Sequence, residues 1–145
     1  MKNLLQKIKQ GFTLVEILVV VVIIGILAAI AIPTYFRLTE NTYAKEAEIQ
    51  IKNMVKSAGQ YKLEEGTLPG DCWETMLESG HIEITEAVTD SWEFECSWDW
   101  DQNTSRIEGT VSATSTDKNG AGPGNTVTYN IEESSFYGYG QQSEY

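Results

Sequence analysis

The sequence predicts an α+β chain in which one long N-terminal helix packs on a small antiparallel sheet. Three observations lead there. Residues 17 to 32 form an uncharged, almost wholly apolar run. Apolar residues then recur at three- and four-residue steps from Ala44 to Tyr61, the spacing of one helix face. Beyond Gly70 the period changes to two, as in strands with one buried face.

The elements follow in order. Met1 to Gly11 is a basic leader carrying Lys2, Lys7 and Lys9 and no acid. Phe12 to Ile32 is 21 residues, about 31 Å of helix, enough to cross a bilayer core of ~30 Å. Lysines on its N-terminal flank place that end in the cytoplasm. Pro33 should break or kink the helix. The amphipathic continuation from 34 to 65 carries Ala44, Ala47, Ile51, Met54, Val55, Ala58 and Tyr61 as its stripe. Lys45, Glu46, Glu48, Gln50, Lys52, Asn53 and Lys56 fill the remaining surface. Gly66 and Pro69 end it.

Residues 66 to 145 form the head. Cys72 to Ser79 reads as a short helix capped by Asp71 and closed by Gly80. Trp92, Phe94, Cys96, Trp98 and Trp100 alternate with Glu93, Glu95, Ser97 and Asp99. Ile107, Gly109, Val111 and Ala113 alternate in a second strand; Val127, Tyr129 and Ile131 alternate in a third. The turn-rich loop Thr116 to Gly124 joins the last two. The Gly-rich aromatic tail from Phe136 has no assignment.

Charge narrows the function. From Gly66 onward there are fifteen Asp and Glu against Arg106 and Lys118. Such a domain does not seek nucleic-acid phosphates; it suits solvent, a cation or a basic partner. Two cysteines, Cys72 and Cys96, imply one disulfide in an exported domain, the alternative being two buried thiols. The lone His81 assembles no nucleophilic set, and no phosphate-binding loop follows a strand, so the chain does not read as an enzyme. The tryptophans at period two read as core filling rather than as an electron path. Asp99, Asp101 and Asn103 have the spacing that opens a calcium loop. Thr104 stands where its glycine belongs, however, and Thr110 where its glutamate belongs. The expectation is no cofactor, with calcium at these three residues as the one candidate.

Glu16 is the informative residue of the apolar run. A carboxylate in a membrane helix is costly unless paired, which makes it a functional candidate. A cut between Gly11 and Phe12 would create an α-amino group able to pair with Glu16, in the same helix or in a neighbouring copy.

Lys9-Gln10-Gly11-Phe12-Thr13-Leu14-Val15-Glu16, followed by the apolar run and Pro33, resembles the class III signal of type IV prepilins. Type II secretion pseudopilins share that signal. The close match spans about residues 7 to 36, and Ala47 to Pro69 is more weakly similar to the helix end of such proteins. The resemblance implies that prepilin peptidase cuts after Gly11 and that Phe12 becomes the N-methylated first residue. Glu16 would be the assembly carboxylate, and Gly25 and Pro33 the points where the helix loosens or bends. It also implies an inner-membrane subunit that meets an assembly platform and polymerises through its N-terminal helices into an extracellular pilus. One alternative is the major pseudopilin of a type II secretion system; another is a membrane-anchored binding domain or enzyme that never polymerises. An ordinary secretory signal cut near Ala29-Ile30-Ala31 and an uncut signal anchor are the plainer readings of the N-terminus.

Overall fold

The computed structural model describes residues 12 to 141. Helix α1 runs Leu14–Glu65 without interruption. It passes through Pro33 as the one long helix expected from the pattern, with no break there. A helix can carry a proline at the loss of one i→i−4 bond, here to the Ala29 carbonyl. In the next position the Thr34 hydroxyl donates to the Ile30 carbonyl at 3.1 Å. By compactness the chain divides between Phe36 and Arg37.

In the N-terminal unit every large apolar side chain from Phe12 to Ile32 is at least 50% exposed. Nothing among the described residues buries it. The stretch is long and apolar enough to span a membrane.

The second unit is the head. Its sheet contains β1 (Trp92–Asp101), β2 (Arg106–Ser115), β3 (Thr126–Asn130) and β4 (Ser135–Gly138). All pairs are antiparallel, in the order β1-β2-β3-β4. Trp92 faces Ser115, Thr110 faces Asn130, and Val127 faces Gly138. The period-two reading of three strands therefore holds, and the unassigned tail supplies a fourth. Ser134 takes a positive φ in the turn before β4, an unusual conformation for a residue with a Cβ, and its sequence announces no tight turn. Gly140, also at positive φ, brings the tail against Ala44, where a Cβ would lie 2.3 Å from the Ala44 Cβ.

The core forms where the amphipathic part of α1 lies on the sheet. Ala44, Ala47 and Ile51 pack with Trp92, Val111, Ala113 and Val127, all buried. Small residues on the helix let the backbone approach a sheet whose bulk comes from tryptophan and β-branched side chains. A second cluster joins Met54 and Ala58 to Cys72, Met76 and Ile82. The segment carrying these last three includes α2 (Glu74–Glu78), shorter than the helix expected from Cys72 to Ser79. Asp71 still serves its start, accepting the Thr75 amide at 3.0 Å. Gly80 closes it at φ 77, and the His81 amide donates back to the Met76 carbonyl. A third helix, α3 (Glu86–Ser91), precedes β1 and escapes the periodicity reading because it is one turn and a half with no buried residue.

One helix residue departs from expectation. Glu48, expected on the surface, is 6% exposed. Lys45 Nζ holds both of its oxygens at 2.7 Å, and the Gln141 amide donates to Oε1 at 2.9 Å. The tail that covers it lies 93 residues away in sequence, so no local pattern reveals the burial.

Candidate functional site

The site is the first turn of α1. Thr13 precedes the helix, and Glu16 is its third residue. The Thr13 amide and hydroxyl both donate to Glu16 Oε2, at 2.7 and 2.8 Å; the Glu16 amide donates to Thr13 Oγ1 at 3.2 Å. This is a reciprocal capping box. It satisfies two donors that a helix start leaves open, and the carboxylate sits at the positive end of the helix dipole. The Thr-x-x-Glu spacing that signals this cap is plain at Thr13 and Glu16 in the sequence, where only a cationic partner was expected for the acid.

The capping box changes what Glu16 requires. The carboxylate has two donors from its own chain, both at Oε2. Phe12, 83% exposed, precedes the cap; Gly11 lies outside the described residues, as does the leader before it. Gly25 lies within the uninterrupted helix, with open space where a Cβ would project.

Cys72 and Cys96 form a disulfide with Cα atoms 5.4 Å apart. It joins the segment after α1 to the inward face of β1. Close by, the Trp98 indole donates to the Pro69 carbonyl at 3.3 Å, so two links hold this segment along the edge of the sheet.

The calcium candidates Asp99 and Asp101 are engaged by backbone amides close in sequence. Asp99 accepts the Trp100 amide at 2.7 Å. Asp101 accepts the amides of Asn103 and Thr104 and the Thr104 hydroxyl. Those bonds build the β1–β2 turn, and they hold the Asp101 carboxyl below the usual range, the Asn103 amide contributing most. Among the described residues no three His, Cys, Asp or Glu side chains gather to hold a metal.

His81 stands between Ser79 Oγ (2.8 Å, Nδ1) and Glu64 Oε2 (3.0 Å, Nε2), with its ring edge-on to Tyr61. The Ser79 hydroxyl donates to the Thr75 carbonyl at 2.8 Å. Its proton therefore serves the end of α2, and the set ties α2 to the end of α1.

A long helix that is apolar at its capped start and amphipathic where it lies under an antiparallel sheet is the architecture that the resemblance to type IV prepilins implied. The prokaryotic N-terminal methylation motif matches residues 6–32. A fimbrial protein of Neisseria meningitidis serogroup B is 39% identical over 69 residues, 48% of this chain and 39% of the relative. The type IV major pilin protein PilE of Neisseria gonorrhoeae is 39% identical over 69 residues, 48% of this chain and 40% of the relative. A fimbrial protein of Pseudomonas aeruginosa is 45% identical over 60 residues, 41% of this chain and 38% of the relative. The matches span about two fifths of the length of these relatives. The methylation motif lies in the N-terminal half of the chain, and over the matched residues the chain is similar to type IV pilins.

Proposed function

We propose that this chain is a structural subunit of an extracellular type IV pilus, cut after Gly11 by prepilin peptidase, methylated at Phe12 and polymerised through α1. The observation that carries the reading is the pairing of a capped acid with an uncovered apolar helix. Nothing among the described residues buries Leu14 to Ile32, so two solvents suit it: lipid, or the same helix from other copies. Lipid holds the subunit in the inner membrane before assembly. Helices of neighbouring copies replace lipid in the filament at little cost, because both surroundings are apolar.

The carboxylate of Glu16 then selects the register. Thr13 satisfies one oxygen in the membrane. A cut after Gly11 frees an α-amino group that is positive at neutral pH, and the amine of a neighbouring copy can meet the remaining oxygen. A buried ion pair is weak evidence for stability, but one well-placed polar group fixes axial register. The closed head carries the acid and faces solvent.

The test is assembly. Electron microscopy of cells should show surface filaments that vanish when the gene is deleted and when Glu16 is replaced by Ala, with the Glu16→Ala chain still exported and folded. Long filaments made by the Glu16→Ala chain would overturn the mechanism. Filaments unchanged by deletion of the gene would favour the pseudopilin role instead.

A further inference from the structure

The head carries its charge unevenly, and the unevenness has a geometry. Its acids dominate beyond Gly66, whereas five of its seven cations, Arg37, Lys45, Lys52, Lys56 and Lys62, lie on α1. Lys45 and Lys118 are held in ion pairs with Glu48 and Asp90. Lys52 and Lys56 are exposed, and no salt bridge joins either to an acid among the described residues. They are four residues apart, about 6 Å along the helix. The Lys52 ammonium lies 5.2 Å from the centre of the Phe136 ring, so this basic flank of α1 borders β4. Exposed Ile49 and Leu63 flank it on the same side of the helix.

The opposite edge of the sheet is β1. There Glu93 and Glu95 are exposed and point away from the core. Their cross-strand neighbours are Thr114 and Ser112, both neutral, and no salt bridge joins either acid to a cation among the described residues. Two residues of strand separate them by about 6.7 Å, close to the spacing of Lys52 and Lys56.

We propose that Lys52 and Lys56 of one copy dock on Glu93 and Glu95 of the next. This rests on the reading of the chain as a polymerising subunit and assigns that polymer a head-to-head contact. Lys52 lies beside Phe136 of β4, whereas Glu93 and Glu95 are on β1 at the other edge of the sheet, and no salt bridge joins the two patches within one copy among the described residues. A contact between unlike patches on identical subunits repeats without closing unless the rotation returns on itself, which is the requirement for a filament. The pairing also answers the charge problem, since strongly acidic heads packed together repel one another unless a cation comes between them.

Charge exchange tests the pairing. Filament yield is measured by shearing and electron microscopy in assembly-competent cells expressing the full chain, with wild type in parallel. Lys52→Glu with Lys56→Glu, and Glu93→Lys with Glu95→Lys, should each lower the yield at least tenfold while head melting stays at the wild-type value. The chain carrying all four changes should recover to within threefold of wild type. Full yield from either reversed chain would overturn the pairing. So would a folded four-fold variant that stays at the low yield, and so would wild-type filaments that dissolve in a divalent-cation chelator, the mark of a metal bridge between acids. If a reversed chain does not fold, Lys52→Gln with Lys56→Gln takes its place, and an unchanged yield overturns the pairing equally. A wild-type chain that makes no filaments defeats the underlying filament reading, a result distinct from all of these.

Discussion

Opening the Cys72–Cys96 bond should weaken the head by several kcal/mol. The two cysteines are 24 residues apart in sequence. In the chain-entropy account, closing a loop of that length removes about 3.5 kcal/mol of freedom from the unfolded chain at 25 °C. A shift of 1 kcal/mol moves the melting point of a ~100-residue domain by about 4 °C or more, so the head should melt roughly 15 °C lower. The loss has a local signature as well. The bridge and the Trp98–Pro69 hydrogen bond are the two links described along that edge, so residues 67 to 84 should gain amide exchange before β2 and β3 do. The assay is thermal melting of the processed full chain in detergent, followed by near-ultraviolet circular dichroism of the tryptophans. It compares the wild type with the Cys72→Ala, Cys96→Ala chain, and with the wild type under reductant. Melting within about 2 °C of the oxidised protein would refute the reasoning.

Other expectations follow from single contacts. Gly109→Ala should cost more than a surface change of its size, because φ is +118 and a Cβ would lie 2.1 Å from the Ser97 carbonyl oxygen; chemical denaturation should show a loss of at least ~2 kcal/mol. Trp92→Ala removes the largest fully buried side chain and its hydrogen bond to Glu46, for about 3–5 kcal/mol by the same measurement. Asp101 has a lowered folded pKa, so its contribution is present above ~4 and fades as pH falls through the folded value. Asp101→Asn should therefore reduce the loss of melting temperature seen on acidification. Glu108 is shifted the other way, by desolvation first and then by Asp101 and Glu132. The folded chain binds its proton more tightly, so ionisation opposes folding as pH rises past ~4. Glu108→Gln should melt at or above the wild-type temperature at neutral pH.

The fold was legible where one residue pattern met one surface. The alternation from Trp92 to Trp100 and the stripe from Ala44 to Ala58 each record a single face buried against a single partner. The same applies to the pair Cys72 and Cys96, whose bridge needs only that the chain return along β1. What escaped depends on contacts distant in sequence or on units too short to show a period. Glu48 is buried by a tail residue 93 positions away. Strand β4 has four residues, and α3 has six with none buried. The candidate site shows the same division. An acid in an apolar run stands out by its cost, whereas its partner Thr13 carries no charge and shows only as the first residue of a capping box.

The capping box also explains how one carboxylate can serve in two surroundings. Thr13 is the second residue of a chain cut after Gly11, so cleavage leaves the cap intact and adds a cation beside it. On the proposed reading, the helix keeps its start in lipid and acquires a polar mark for a second copy.

The mass of the mature subunit tests the account most directly. Filaments are sheared from cells, and the intact chain and its N-terminal peptide are measured by mass spectrometry. The account predicts a chain beginning at Phe12 with one added methyl group on its amine. A chain that begins at Ile32, or one that keeps Met1 to Gly11, would contradict it.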